Sequence, residues 1–581
     1  MGFIKSFFAS CLGTIVGVIA LLFIGGAILS VMVAADSSVS VASNSVLYLN
    51  LDAPIAEQAI EDPFAEFFPG ESQPIGLLQL KEVINHAKTD SKIEGIYLNV
   101  NYIMAGISTV DEIRKSLIDF KSSGKWVIAY SDGYSEGAYY LASVADKIYL
   151  NPEGQLEFNG LSAEIAFFKK MFDKLEIRPQ VFRVGEFKSA VEPFIREDLS
   201  EENKLQLNAM LNSIHDEMLS EISEARQIPK AKLKEISDEV LVRLADDALE
   251  LKLVDELLYD DQARGELRAL LGLDEEEKID FIRYAEYKKN SISLNTSSNE
   301  IAVIVADGDI MPGRADNGVV GSSTIVKEIR RARNNDEVKA IIVRINSPGG
   351  VAQAADEMWR EIWLAKQQKP VIASMSDYAA SGGYYLAMAC DTIVAQPTTI
   401  TGSIGVFSVI FDMSQFLSNK IGVTSEEVKT GKVGGLSFTR PMSEMEKEIW
   451  QTQTDEIYET FTKKAAEGRG MSQEDIKKMA SGRVWTGVQA KDNGLVDVLG
   501  GYMDAVEIAT QRSGVGSDYA LKYYPQPKSL LDQITGGWQE DVRADATKEK
   551  LGTLYPWFVQ WEKIKKYEGA QARLPFEFEL R

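Results

Sequence analysis

The chain repeats itself, and this constrains its fold more than any other feature of its 581 residues. SEGAYYLASVADKIYL (residues 135–150) aligns without gaps to ASGGYYLAMACDTIVA (380–395), an offset of 245 with seven of sixteen positions identical. The same offset lays GIYLNVN (95–101) over AIIVRIN (340–346), two apolar, β-branched runs of the kind that form buried strands. Two blocks held in one register mean tandem copies of one domain. Length agrees, because a single core stops growing near ~250 to 300 residues. The sequence divides into an N-terminal segment 1–43, a first copy 44–285, a linker 286–297 that takes in most of the polar run NSISLNTSSN, a second copy 298–515 and a distinct tail 516–581.

Inside each copy, short apolar strands (VIAYS, VIASM, IAVIVADG) alternate with helix-period segments such as STIVKEIRRARNN, which predicts a layered α/β architecture. Each glycine-containing block is followed by a long charged amphipathic stretch, for example SEENKLQLNAMLNSIHDEMLSEISEAR, read as a partly solvated helix. From Ser6 to Ala35 there is no charge, a run longer than the ~20 residues that span a bilayer. A secretory signal has an apolar core of only ~7 to 15 residues, so the run reads as an uncleaved transmembrane anchor, with cleavage near Ala34 or Ala35 as the alternative. Lys5 before it and Asp36 after it orient the N-terminus to the cytoplasm and the remainder outside.

A formal charge of −24 with no basic cluster excludes nucleic acid as a partner. Two cysteines and two histidines narrow the chemistry further. Cys11 lies in the apolar run and Cys390 has no soluble partner, which argues against a disulfide framework or a thiolate metal site. His86 and His215 sit in helix-like stretches without a motif, so serine chemistry here calls for a base other than histidine.

Three segments of the second copy carry the chemistry. INSPGG (345–350) is a sharp turn after a strand, where proline fixes φ and the glycines let backbone N–H groups approach a ligand. ASGGYYLAMACD puts Ser381 between a strand and a helix, so its hydroxyl and the Gly382 N–H can face one point; a serine there can equally be a plain N-cap. TGSIGV (401–406) is a small-residue turn that either lines a cleft or merely connects.

In this order and spacing the three segments resemble the Clp protease and crotonase-like superfamily, and within it the signal peptide peptidase A family of serine peptidases. The span, the duplicated length and the ending GAQARLPFEFELR fit the family's long, tandem form. The resemblance implies two tandem Clp protease/crotonase-like α/β domains after a transmembrane helix, and a Ser-Lys dyad with Ser381 as nucleophile. It places the base three residues after a glycine, where the first copy has Lys188 after Gly185 and the second has Gly434 after Gly431. Ser381 in turn aligns with Glu136, and NSPGGV with NYIMAG. One copy keeps the base and the other keeps the serine and its donors, as expected if one site is assembled across both. Lys432 competes for the base through an alignment anchored on Arg440 and Arg196.

By the same resemblance, the oxyanion donors are Gly382 with Gly350 or Gly349, and no metal or organic cofactor takes part. Val191, Pro193 and Phe194 are expected to help enclose Lys188. Substrates are apolar peptides, chiefly signal peptide remnants. The enzyme is a homo-oligomer, a tetramer, on the bacterial inner membrane with its catalytic domains on the periplasmic side. The aromatic run LYPWFVQWEKIKKY is placed at a subunit contact, a membrane-near rim or within one subunit. The rivals are a crotonase-like acyl-CoA hydratase or isomerase and a catalytically dead assembly protein on the same fold.

Overall fold

The computed structural model describes residues 40–59, 74–291, 297–315, 318–525 and 570–574, with isolated positions between 13 and 23. The expected anchor falls almost entirely outside them, as does the aromatic run 554–567. Among the described residues no helix is long and apolar enough to cross a membrane.

The duplication is visible as two parallel sheets with equivalent strand order. In the first half the strands stand in the order Glu256–Leu257, Lys147–Leu156, Trp126–Tyr134, Ile93–Asn99, Ser45–Asn50, Phe281–Arg283. In the second half the order is Val498–Leu499, Thr392–Ala395, Val371–Ala380, Val338–Ser347, Glu300–Asp307, Ala520–Tyr524, and Ile400–Gly402 and Val484–Thr486 branch from the edge of Val371–Ala380. Runs such as IIVRI are apolar at almost every position because helices cover both faces of a parallel sheet. The two long charged stretches are the helices Glu201–Arg226 and Glu444–Arg469, each started by a serine, Ser200 or Ser443, whose hydroxyl accepts a backbone N–H three residues on.

A third sheet joins the halves. Its order is Val319–Gly321, Asp309–Met311, Gly349–Val351, Ala570–Arg573, Val406–Asp412, Arg178–Val184, and the last strand belongs to the first half. Arg178–Val184 runs antiparallel to Val406–Asp412 over seven paired positions. The interface between the halves also holds a buried ionic cluster. Arg344 makes two hydrogen bonds to Glu57, at 2.9 and 3.0 Å, and reaches Glu112 at 3.3 Å. The core is continuous across the boundary, since Ala380, Ile400, Val484 and Leu574 pack into the first half's cluster.

Two boundaries read from the sequence need correction. The helix Tyr284–Ser291 runs into the stretch taken as linker. Of the described tail residues, 520–524 and 570–573 are strands of the second and third sheets.

Candidate active site

Ser381 stands where the strand Val371–Ala380 turns into the helix Gly382–Ala387. Its backbone has φ 53° and ψ −108°, a conformation that disfavours any side chain and is retained only where surrounding bonds enforce it. Those bonds are its own N–H to the Gly402 carbonyl, 2.8 Å, and its carbonyl to the Tyr385 N–H, 2.8 Å. The hydroxyl is thereby turned to the loop that follows Ile400–Gly402. In the first half Ser135 precedes the equivalent helix with an ordinary extended backbone, and Glu136 takes the place of Ser381.

Lys188 arrives from the other half. The strand Arg178–Val184 ends at Gly185, whose φ of 106° turns the chain against Ser481; a Cβ there would lie 2.3 Å from the Ser481 carbonyl oxygen. Phe187 then donates its N–H to that same carbonyl at 3.0 Å. Gly405 and Gly482 leave room for the lysine stem, as a Cβ on Gly482 would sit 2.6 Å from the Lys188 Cβ. Gln206 of the long first-half helix fixes the loop by donating to the Phe187 carbonyl at 3.2 Å and accepting the Val484 N–H at 3.3 Å.

The Lys188 Nζ lies 2.9 Å from Ser381 Oγ, and it donates to the Ser403 carbonyl oxygen and reaches Ser403 Oγ, each also at 2.9 Å. Lys188 and Ser381 are both fully buried. Burial pushes the ammonium well below the ordinary lysine range, because water is no longer there to solvate the charge. Val191 and Phe194 pack nearby in an apolar cluster with Phe407 and Val409, and Pro193 is half-buried. A neutral amine beside a serine hydroxyl is able to take its proton.

The glycine turn closes the other side. Gly349 and Gly350 have φ of 103° and 157°, and a Cβ on Gly349 would come within 2.8 Å of the Gly382 nitrogen. One on Gly382 would lie 3.2 Å from the Gly350 nitrogen. The backbone amides of Gly350 and Gly382 thus meet at one corner beside Ser381. The Gly349 N–H is already donated to Ser347 Oγ at 3.2 Å.

Of the sequence-derived candidates, Ser381, Lys188, Gly349, Gly350 and Gly382 come together, and Lys432 does not: it is exposed, in the segment after Ile421. His86 lies beside Tyr287, and His215 Nε2 is 3.7 Å from Glu136 in the first half. Glu136 accepts the N–H groups of Asn159 and Gly160 at 3.0 and 2.8 Å, and burial pushes its carboxyl up to about 7. Among the described residues no cluster of metal-ligating side chains is present. Sequence reasoning misses Ser403, although the TGSIGV turn that contains it reads as a candidate cleft wall; it also misses Gln206 and the strand Ala570–Arg573.

The family model for Peptidase family S49 matches residues 119–274 and 364–516. Protease 4 of Haemophilus influenzae is 36% identical over 545 residues, covering 89% of this chain and 88% of that protein. The chloroplastic serine protease SPPA of Arabidopsis thaliana is 34% identical over 546 residues, covering 92% and 78%. Protease 4 of Salmonella typhi is 37% identical over 485 residues, covering 81% and 77%.

Proposed function

The chain belongs to peptidase family S49 and is a serine protease of the signal peptide peptidase type, and on that premise we propose that Ser381 is its nucleophile and Lys188 its general base. The observation that carries this reading is the 2.9 Å approach of a fully buried lysine amine to the Ser381 hydroxyl. Neutral Lys188 takes the Ser381 proton as Oγ attacks a peptide carbonyl. The resulting ammonium donates to the two Ser403 oxygens and then returns the proton to the leaving amine. Water, activated by the same amine, resolves the acyl-enzyme. The N–H groups of Gly350 and Gly382 hold the developing oxyanion, a contribution of roughly 3 to 4 kcal/mol per donor in comparable sites. Gly349 is left out because its N–H is spent on Ser347.

The substrates in this proposal are apolar peptides, chiefly signal peptide remnants in the membrane, cut by an anchored enzyme whose catalytic domains lie on the periplasmic side of the inner membrane. The uncharged run from Ser6 to Ala35 supports the anchor, and the resemblance of the motifs to signal peptide peptidase A supports the substrate class. A homo-oligomer, a tetramer by that resemblance, is supported by exposed apolar side chains on one segment: Ile421, Val423, Leu436 and Phe438, with Val428 97% exposed.

The test is hydrolysis of a synthetic signal peptide by residues 40–581 and its variants. Ser381→Ala and Lys188→Ala are expected to lose turnover, and Lys432→Ala to retain it. An active Lys188→Ala with an inactive Lys432→Ala would move the base to the second half and overturn the dyad.

A further inference from the structure

The groove in which a peptide would have to lie is already filled, and by this chain itself. The strand Ala570–Arg573 is inserted between Gly349–Val351 and Val406–Asp412 and is antiparallel to both. Gly349 faces Arg573, Gly350 faces Ala572 and Val351 faces Gln571, while on the other side Phe407 faces Gln571 and Ser408 faces Ala570. These neighbours are the two rims of the site: one begins on the glycines of the INSPGG turn, and the other on the last residue of the TGSIGV turn that carries Ser403. Extended peptides are commonly captured in this way, by main-chain pairing to exposed strand edges.

The register makes the likeness to a substrate specific. The Ala572 carbonyl oxygen lies where a Cβ on Gly349 would be 2.1 Å away and one on Gly382 3.0 Å away, so it faces the corner formed by the Gly350 and Gly382 amides. Leu574 continues the ladder by donating its N–H to the Pro348 carbonyl at 2.6 Å. Side chains fix the frame: Arg573 donates to Asp309 at 2.7 Å in a buried pair, Ala572 packs into the second half's core and Leu574 into the first half's. The segment AQAR has no β-branched or aromatic residue, so its strand depends on the rims rather than on its own propensity.

We propose that residues 570–574 occupy the peptide-binding groove as an internal substrate mimic, with Ala572 supplying the carbonyl at the reacting position, and that substrate enters by displacing this strand. The inference rests on the assignment of Ser381, Gly350 and Gly382 above. Residues two apart on a strand share a face, so Ala570 and Ala572 define positions that accept small side chains. Asp309 sets the register by holding the side chain that follows the reacting carbonyl. A tethered segment competes at an effective concentration in the ~mM range, and a site that is free one-tenth of the time binds its ligand about tenfold more weakly.

The experiment compares the full chain with a version ending at Gly569 and with Asp309→Asn, using a synthetic apolar peptide and a small serine-directed phosphonate. Removal of the strand is expected to lower KM about tenfold with kcat little changed and to speed phosphonate labelling. Asp309→Asn should move both readouts the same way by a smaller factor, and free AQARLPF should act as a competitive inhibitor of the shortened chain. A folded shortened chain with unchanged KM and labelling rate, and no competition by the peptide, would make the strand purely structural and overturn the proposal. Should the shortened chain fail to fold, Asp309→Asn and competition by the peptide on the full chain decide: no change in either overturns it. Ser381→Ala in each background separates the two readings, because turnover that survives it refutes the active-site assignment, whereas its loss leaves that assignment standing whichever way the strand behaves.

Discussion

Lys188 holds an amine in a fully buried position where, among the described residues, only Ser381 and Ser403 lie within hydrogen-bond distance. Among the described residues no carboxylate offsets the loss of water, so the folded state favours the uncharged form. The sign for activity follows directly. As pH rises through the lowered pKa of Lys188 the neutral base accumulates, and kcat/KM should climb with unit slope to a plateau, as a pH–rate profile on a synthetic peptide would record. The sign for stability is the reverse of a favourable ion pair. Between the folded pKa and the ordinary lysine value the unfolded chain binds a proton that the native chain does not, so stability is lost as pH falls through that window. Lys188→Met, similar in shape and never charged, should therefore lower kcat by roughly 10² to 10⁴-fold while raising the melting temperature, by a margin that widens toward lower pH. Ser381 and Lys188 were legible only through the resemblance of their motifs to a known peptidase family, since the residues alone left Ser381 open to being a plain N-cap. The role of Ser403 was not, since its partner lies 215 positions away and only the fold brings the two together.

Lys188 is delivered by one short turn. Strand Arg178–Val184 aims the chain at the second half, and Gly185 bends it so that Phe187 can bond Ser481 and Lys188 can pass between Gly405 and Gly482. An alanine at 185 would meet both a φ of 106° and a carbonyl oxygen at 2.3 Å. Left-handed backbone alone disfavours a side chain by about 1 to 2 kcal/mol. Gly185→Ala should accordingly cut kcat by two orders of magnitude or more through displacement of Nζ, with a modest fall in melting temperature, and the difference between the two readouts identifies positioning rather than unfolding as the cause. The main sheets were readable because their strands are continuous β-branched runs that recur at an offset of 245. The third sheet was not. Gly349–Val351 reads as a turn, AQAR carries no strand propensity of its own, and the pairing of Arg178–Val184 with Val406–Asp412 depends on the docking of two halves.

On the proposed assignment, duplication with reciprocal loss leaves one complete site per chain. The first half has Glu136 at the position of Ser381, with His215 Nε2 3.7 Å from its carboxyl, and the second half has Gly434 at the position of Lys188. What remains useful of each half is joined by the shared sheet and by the buried cluster of Arg344 with Glu57 and Glu112. Removing Arg344 would leave the buried Glu57 carboxylate without its partner, while Glu112 keeps Lys81; the loss is about 3 to 5 kcal/mol for comparable buried pairs, so Arg344→Leu should melt well below the parent chain. The same architecture fixes where the two catalytic groups come from. Lys188 and Ser381 meet within one chain, through strands paired in that chain, so an oligomer is not needed to complete the dyad. Mixed Ser381→Ala and Lys188→Ala chains, co-expressed so that they assemble together, distinguish this from a site built between subunits. A site between subunits would regain up to about a quarter to a half of the parental activity, because some contacts would pair an intact lysine with an intact serine. A site within the chain cannot be rescued, since every chain in the mixture lacks one member of its own dyad, and turnover of the mixture should stay at the level of the single variants.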